Sequence, residues 1–135
     1  MMNEVYKKFG EASEMAQLLE YELGTLLIRI LDITPKLVTS QPEMAWMLLD
    51  DVYTSALRRF IRQEKGQHQE EPVMQALNES FKALHGLHHG FFRSYHGSSE
   101  TEMIEALEVL TMSLWQGYRS VMLLSGVDVD ELVNA

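Results

Sequence analysis

Apolar residues recur along this chain at alternating three- and four-residue steps, the spacing of a helix that buries one stripe. Phe9, Ala12, Ala16, Leu19, Leu23, Leu26 and Ile30 mark the first stripe, on a helix expected over about 3–32. "DITPKLVTS" then interrupts the pattern, and Pro35 prevents its continuation. A second helix is expected over about 41–65, opened by "SQPE", where Ser40 and Glu43 form a capping box. Its stripe is Trp46, Leu49, Tyr53, Ala56 and Phe60, and it ends in the polar run "QEKGQHQEE". The third helix, about 72–95, begins at Pro72, which suits a first turn, and continues through Val73, Leu77, Phe81, Leu84, Leu87 and Phe91. Ser99 and Glu102 make a second capping box before a fourth helix, about 100–125. Its seam is Met103, Leu107, Leu110, Leu114, Gly117, Val121 and Leu124, with Gly126 placed to terminate it. The tail "VDVDELVNA" reads as one extra turn begun by Asp128.

No segment reads as a strand. Four helices with short connections predict an all-α fold, an antiparallel up-and-down four-helix bundle in one domain spanning 1–135. Two helices carry more apolar surface than one seam needs. Ile104, Trp115, Tyr118 and Met122 lie beside the stripe of the fourth helix; Met15, Leu18, Leu27 and Leu31 do so on the first. Contiguous apolar surface of this kind marks an interface, and a homodimer is expected; a thick monomeric core is the alternative.

Composition narrows the class. With 46% hydrophobic and 23% charged residues the chain has the balance of a folded protein, and without cysteine it has no disulfide or thiolate metal site. No apolar run is long enough for a signal peptide core or a membrane span, so a cytoplasmic protein is expected. A net charge of −9 disfavours RNA held on a broad electrostatic surface, though a small basic cleft fits it. The basic residues cluster once, at Arg58, Arg59, Arg62 and Lys65, which reads as a solvated helix end before it reads as a phosphate patch.

The candidate chemistry sits in "LHGLHHGFF", residues 84–92, where His85, His88 and His89 fall within one and a half turns. At i and i+4, His85 and His89 share a face and can bite one metal ion, but a usable site needs a third or fourth ligand. Glu79 is on another part of the wheel, and Glu20 reaches the site only if helix packing brings it there. No metal and no cofactor is expected. Gly86 and Gly90 each cost about 1 kcal/mol inside a helix. Either a neighbouring helix or a ligand approaching closely would account for them. Arg62 and His68 have a spacing that some nuclease motifs use, but they fall in a helix-ending polar run.

"FGEASEMAQLLEYELGTLL" resembles the first helix of a bacterial branch of the HEPN superfamily, whose members read roughly FG-x-A-x₃-AQ-x-LE-x₂-L-x₂-LL. "LHGLHHGFF" looks like that branch's signature segment, RN-x-L-x-H-x-FF, and "MIEALEVLTMSL" is similar to the helix that follows it. The resemblance implies a helical dimer related to metal-independent ribonucleases of toxin–antitoxin and phage-defence systems. In that family an arginine and a histidine converge at the dimer cleft: the histidine handles protons during attack by the ribose 2′-hydroxyl, and the arginine steadies the phosphate. By this resemblance His89 matches the family histidine, Leu87 the apolar position and Phe91–Phe92 the aromatic pair. The arginine position is Leu84 and the asparagine position is His85, so the site reads as degenerate. Losing an electrostatic contact to the transition state costs several kcal/mol.

Replacement charge can come from His85 when protonated, or from Arg93, one turn beyond His89. The implied catalytic candidates are therefore His89 and His85, with Glu20, His88 and Arg93 lining the cleft and Gln17 beside Glu20. Three histidines without an arginine can hold an anion below about pH 6.5, where free histidine is charged. The resemblance thus implies a non-catalytic binding or regulatory protein tied to bacterial defence, toxin–antitoxin or mobile-gene systems, with an antitoxin-like protein as a possible partner. Two alternatives stand beside it: a working metal-independent ribonuclease with a rearranged histidine site, and a purely structural interaction module built on Trp115, Tyr118 and Met122.

Overall fold

A computed structural model describes residues 2–31 and 52–130 of the chain. Trp46, Leu49 and the Ser40–Glu43 capping box lie outside the described residues, as do the side chains of Leu31, Val52, Tyr53 and Thr54. The described residues are helical with no strand: α1 (Asn3–Leu31), α2 (Val52–Lys65), a 3₁₀ turn (Gln67–Gln69), α3 (Glu70–His88), α4 (Phe91–Ser94) and α5 (Glu100–Leu124). Among them no helix is long and apolar enough to cross a membrane.

The ends of α5 are fixed locally. The Ser99 hydroxyl accepts the Glu102 amide at 3.1 Å, satisfying one of the orphan donors of the first turn. At the other end Gly126 takes φ +91°, and the Val127 and Gly126 amides return to the Met122 and Leu123 carbonyls at 2.8 and 3.0 Å. That is a Schellman closure, and it requires the left-handed conformation that glycine supplies without strain. Asp128 accepts the Asp130 amide, as expected for the start of an extra turn.

The core lies on the α5 seam, with α1 and α3 packed against it. Leu19, Leu23, Leu26, Leu77, Leu87, Leu107, Leu114 and Val121 are all essentially inaccessible to water. Gly117 marks a close approach of α5 to α3: a Cβ added there would overlap the Ser80 side chain, and Leu19 of α1 would lie 3.5 Å away. The buried Ser80 hydroxyl donates to the Leu77 carbonyl at 2.7 Å, so its polarity is satisfied within α3. Among the described side chains of α2, from Ser55 onward, the buried residues are Leu57 and Ile61, one position round the wheel from the expected Ala56 and Phe60, which are half-buried.

Helix directions follow from these contacts. Lys8 lies 3.8 Å from Glu108, Leu19 faces Gly117, and Arg29 donates to the Leu124 carbonyl at 3.2 Å. α1 and α5 therefore run the same way. The Arg29 guanidinium also lies 5.7 Å from the Phe60 ring centre, so one cation joins α1, α2 and the carbonyl end of α5, where positive charge is favoured. α3 runs against both: Val73 shares a groove with Leu124, Ser80 meets Gly117 beside Leu19, and past the end of α3 Phe91 and Phe92 reach Phe9 of α1.

Candidate functional site

The histidine segment is built across a helix end. The expected helix over 72–95 stops at His88, and His89, with φ −110° and ψ +28°, closes it through its amide to the His85 carbonyl at 2.9 Å. Gly90 then adopts φ +131°, a conformation side-chain-bearing residues rarely take, and α4 begins at Phe91. This accounts for Gly90. Gly86 is different: a Cβ there would meet nothing within 4 Å, so neither a neighbouring helix nor a tight turn requires it. The close approach of two helices falls instead at Gly117.

The break divides the segment into two faces. Leu84, Leu87 and Phe91 are 2%, 2% and 3% exposed and belong to the core. His85, His88 and His89 are exposed. The His85 and His89 rings stack with centres 4.5 Å apart and planes at 29°. His88 turns toward α1, with Nδ1 3.7 Å from the Glu20 Oε1, close enough for an ion pair when the imidazole is charged but too long for a direct hydrogen bond. Glu20 therefore does reach this end of the molecule from α1.

Beside the histidines lies a shallow groove of about 390 Å³, lined by Phe9, Leu87, Gly90, Phe91 and Phe92 together with His88, His89 and Arg93. Arg93 is exposed and shares this groove with two of the three histidines; His85 stacks on His89 from outside it. One wall is aromatic. Phe92 lies 5.0 Å from Phe9 and 5.9 Å from Tyr6, centre to centre, and Phe91 stacks on Tyr95 at 4.8 Å. Phe9 and Tyr6 did not stand out in the sequence as site residues, because only the packing of α1 against α4 brings them here.

Chemically, the groove offers a planar guanidinium and imidazoles that can hold an anion, over an aromatic floor. Leu84, at the position where the resemblance places a phosphate-steadying arginine, points into the core and contributes nothing to it. Among the described residues no cluster of three or more potential metal ligands occurs.

Two members of the basic cluster on α2 are engaged by neighbouring acids. Arg58 pairs with Glu71 and lies 3.7 Å from Glu70, while Arg62 Nε is 3.1 Å from the same Glu70. Both acids sit in the first turn of α3, where the helix dipole also favours them. His68 lines a separate groove with Lys65, Val73 and Leu124. Ile104, Trp115, Tyr118 and Met122 are half-buried, with the Trp115 and Tyr118 rings 5.6 Å apart. The most exposed apolar residues of α5 are Val109 and Met112, at 63% and 65%.

Comparison with protein-family models, with curated proteins and with solved structures gives no match to this chain.

Proposed function

We propose that this chain is a HEPN-like helical dimer whose ribonuclease site has lapsed, leaving a binding or regulatory protein of a bacterial defence, toxin–antitoxin or mobile-gene system. The observation that carries this reading is the burial of Leu84 beside an exposed histidine pair. The position that would supply phosphate charge is given over to the core, while His89 keeps an open groove. The family itself rests on the sequence resemblance.

The dimer is supported by the apolar surface that one chain leaves uncovered. Leu18 on α1 and Val109 and Met112 on α5 are 43%, 63% and 65% exposed, and Trp115 is half-buried on the same helix as the latter two. Sedimentation velocity tests it: the wild-type chain runs as a dimer, and Met112→Glu shifts it to monomer without loss of helical signal. A monomeric wild type would remove the dimer from the proposal.

A second reading is favoured by one observation, the placement of Arg93 in the groove with His88 and His89. On that reading Arg93 replaces the missing arginine and the protein is a metal-independent ribonuclease. The two readings part on whether single-stranded RNA is cut with metal chelated, in a reaction that needs both Arg93 and His89.

A further inference from the structure

We propose that the groove beside the end of α3 binds a small aromatic monocarboxylate, with its carboxylate on Arg93 and its ring on Phe92. The proposal rests on the reading of that groove as a binding site and names the class of ligand. Arg93 is exposed and lines the groove. No carboxylate among the described residues pairs with it, whereas Arg58, Arg62 and Arg119 are each held by one. Its planar fork is therefore open to a ligand, and a carboxylate matches that fork with two parallel hydrogen bonds. Phe92, the preceding residue on α4, packs its ring 5.0 Å from Phe9 and 5.3 Å from Phe91, yet is still 37% exposed. A flat apolar body laid against it buries area and gains an offset ring contact.

Charge and shape set the class. The histidines beside the groove are committed elsewhere: the His89 ring stacks on His85, and His88 Nδ1 faces the Glu20 carboxylate at 3.7 Å. That leaves one guanidinium, which balances one negative charge. A phosphate dianion would keep an uncompensated charge beside a chain of net charge −9, and a nucleic-acid strand would keep many. Among the described lining residues none is acidic, so a monoanion meets no local opponent. The volume of about 390 Å³ is at the small end for a ligand site and suits one ring with a short arm. The buried Leu87 and Phe91 make the groove wall apolar where the ring enters. An arylacetate, with one carbon between ring and carboxylate, lets the ring turn onto Phe92 while the acid meets Arg93.

The test is an NMR titration of the isotope-labelled full chain with phenylacetate, read at the backbone amides of Gly90, Phe92 and Arg93. Saturable shifts confined to these amides and their neighbours are expected. Arg93→Gln weakens binding by about tenfold or more, the loss of a charged hydrogen-bonded pair, and Arg93→Lys restores it only in part. Phe92→Ala weakens it as well. Acetate, which lacks the ring, and benzyl alcohol, which lacks the charge, give no saturable shift. Arg93 is exposed, so its variants keep the fold whatever Phe92→Ala does. Absence of saturable shifts, shifts that survive Arg93→Gln unchanged, or tighter binding of phenyl phosphate than of phenylacetate would overturn the proposal. Intact RNA without phenylacetate binding removes this ligand class alone; phenylacetate binding alongside RNA cleavage removes the lapsed-nuclease reading alone.

Discussion

Gly117→Ala destabilises the protein, and Ser80→Gly in the same chain restores most of the loss. Two effects compete at this position. Alanine is the better helix former by about 1 kcal/mol. Against that, the new Cβ would overlap both the Oγ and the Cβ of Ser80, and the latter is fixed to the α3 backbone. A flexible tip could move aside, but here α3 and α5 must separate, and Leu19, 3.5 Å from the same point, closes the other direction. Overpacking of this sort costs about 1–3 kcal/mol, and the rigid neighbour places the net effect toward the upper part of that range. Ser80→Gly alone loses roughly 0.5 kcal/mol of helix propensity but opens the space. Chemical denaturation of the four chains gives the coupling directly. A double variant no more stable than Gly117→Ala would show that the helices do not meet at this point.

Leu84→Arg is the second large effect. Placing an arginine where the HEPN resemblance expects one looks like a repair when only the sequence is read. In the structure the side chain at this position is 2% exposed and surrounded by the core. A guanidinium placed there either stays buried without a partner or drags α3 outward. Unpaired buried charge costs about 3–5 kcal/mol, a large share of the stability of a domain this size. Leu84→Arg is therefore expected to unfold or to lose several degrees of Tm, whereas His85→Asn, at an exposed position, changes stability by less than about 0.5 kcal/mol. Thermal melts followed by circular dichroism distinguish them. A stable Leu84→Arg chain would mean that the residue faces the groove.

Leu84 also shows where the sequence was legible and where it was not. Periodicity put it on the core stripe with Phe81, Leu87 and Phe91, and the structure buries all four. Motif alignment put the same residue at a cleft. Periodicity reports which face of a helix is dry, whereas a resemblance that lacks its arginine offers no residue to identify the surroundings of that position. The outline of α5 was similarly readable, because its ends rest on neighbouring residues: Ser99 with Glu102, and Gly126 and Val127 with Leu123 and Met122.

The features that escaped the sequence depend on long-range packing. A glycine within a helical pattern did not reveal that Gly90 takes φ +131° while Phe91 folds into the core. Nor did the apolar stripes give direction. The parallel course of α1 and α5 is visible only in pairs such as Lys8 with Glu108 and Arg29 with Leu124. The α2 face was misjudged by one position because Ala56 and Leu57, like Phe60 and Ile61, are adjacent apolar residues, and periodicity alone does not choose between them. At the site, the three histidines stood out from the sequence, but their division between a stacked pair, a partner for Glu20 and a groove shared with Arg93 did not.

The central claim is that the histidine groove no longer performs phosphodiester chemistry. The most direct measurement is incubation of the purified wild-type chain with single-stranded RNA in EDTA, alongside His89→Ala and Arg93→Ala. Intact RNA in every lane is the predicted result. Cleavage by the wild type that disappears in both variants would contradict it, and would make Arg93 and His89 the working pair of a rearranged ribonuclease.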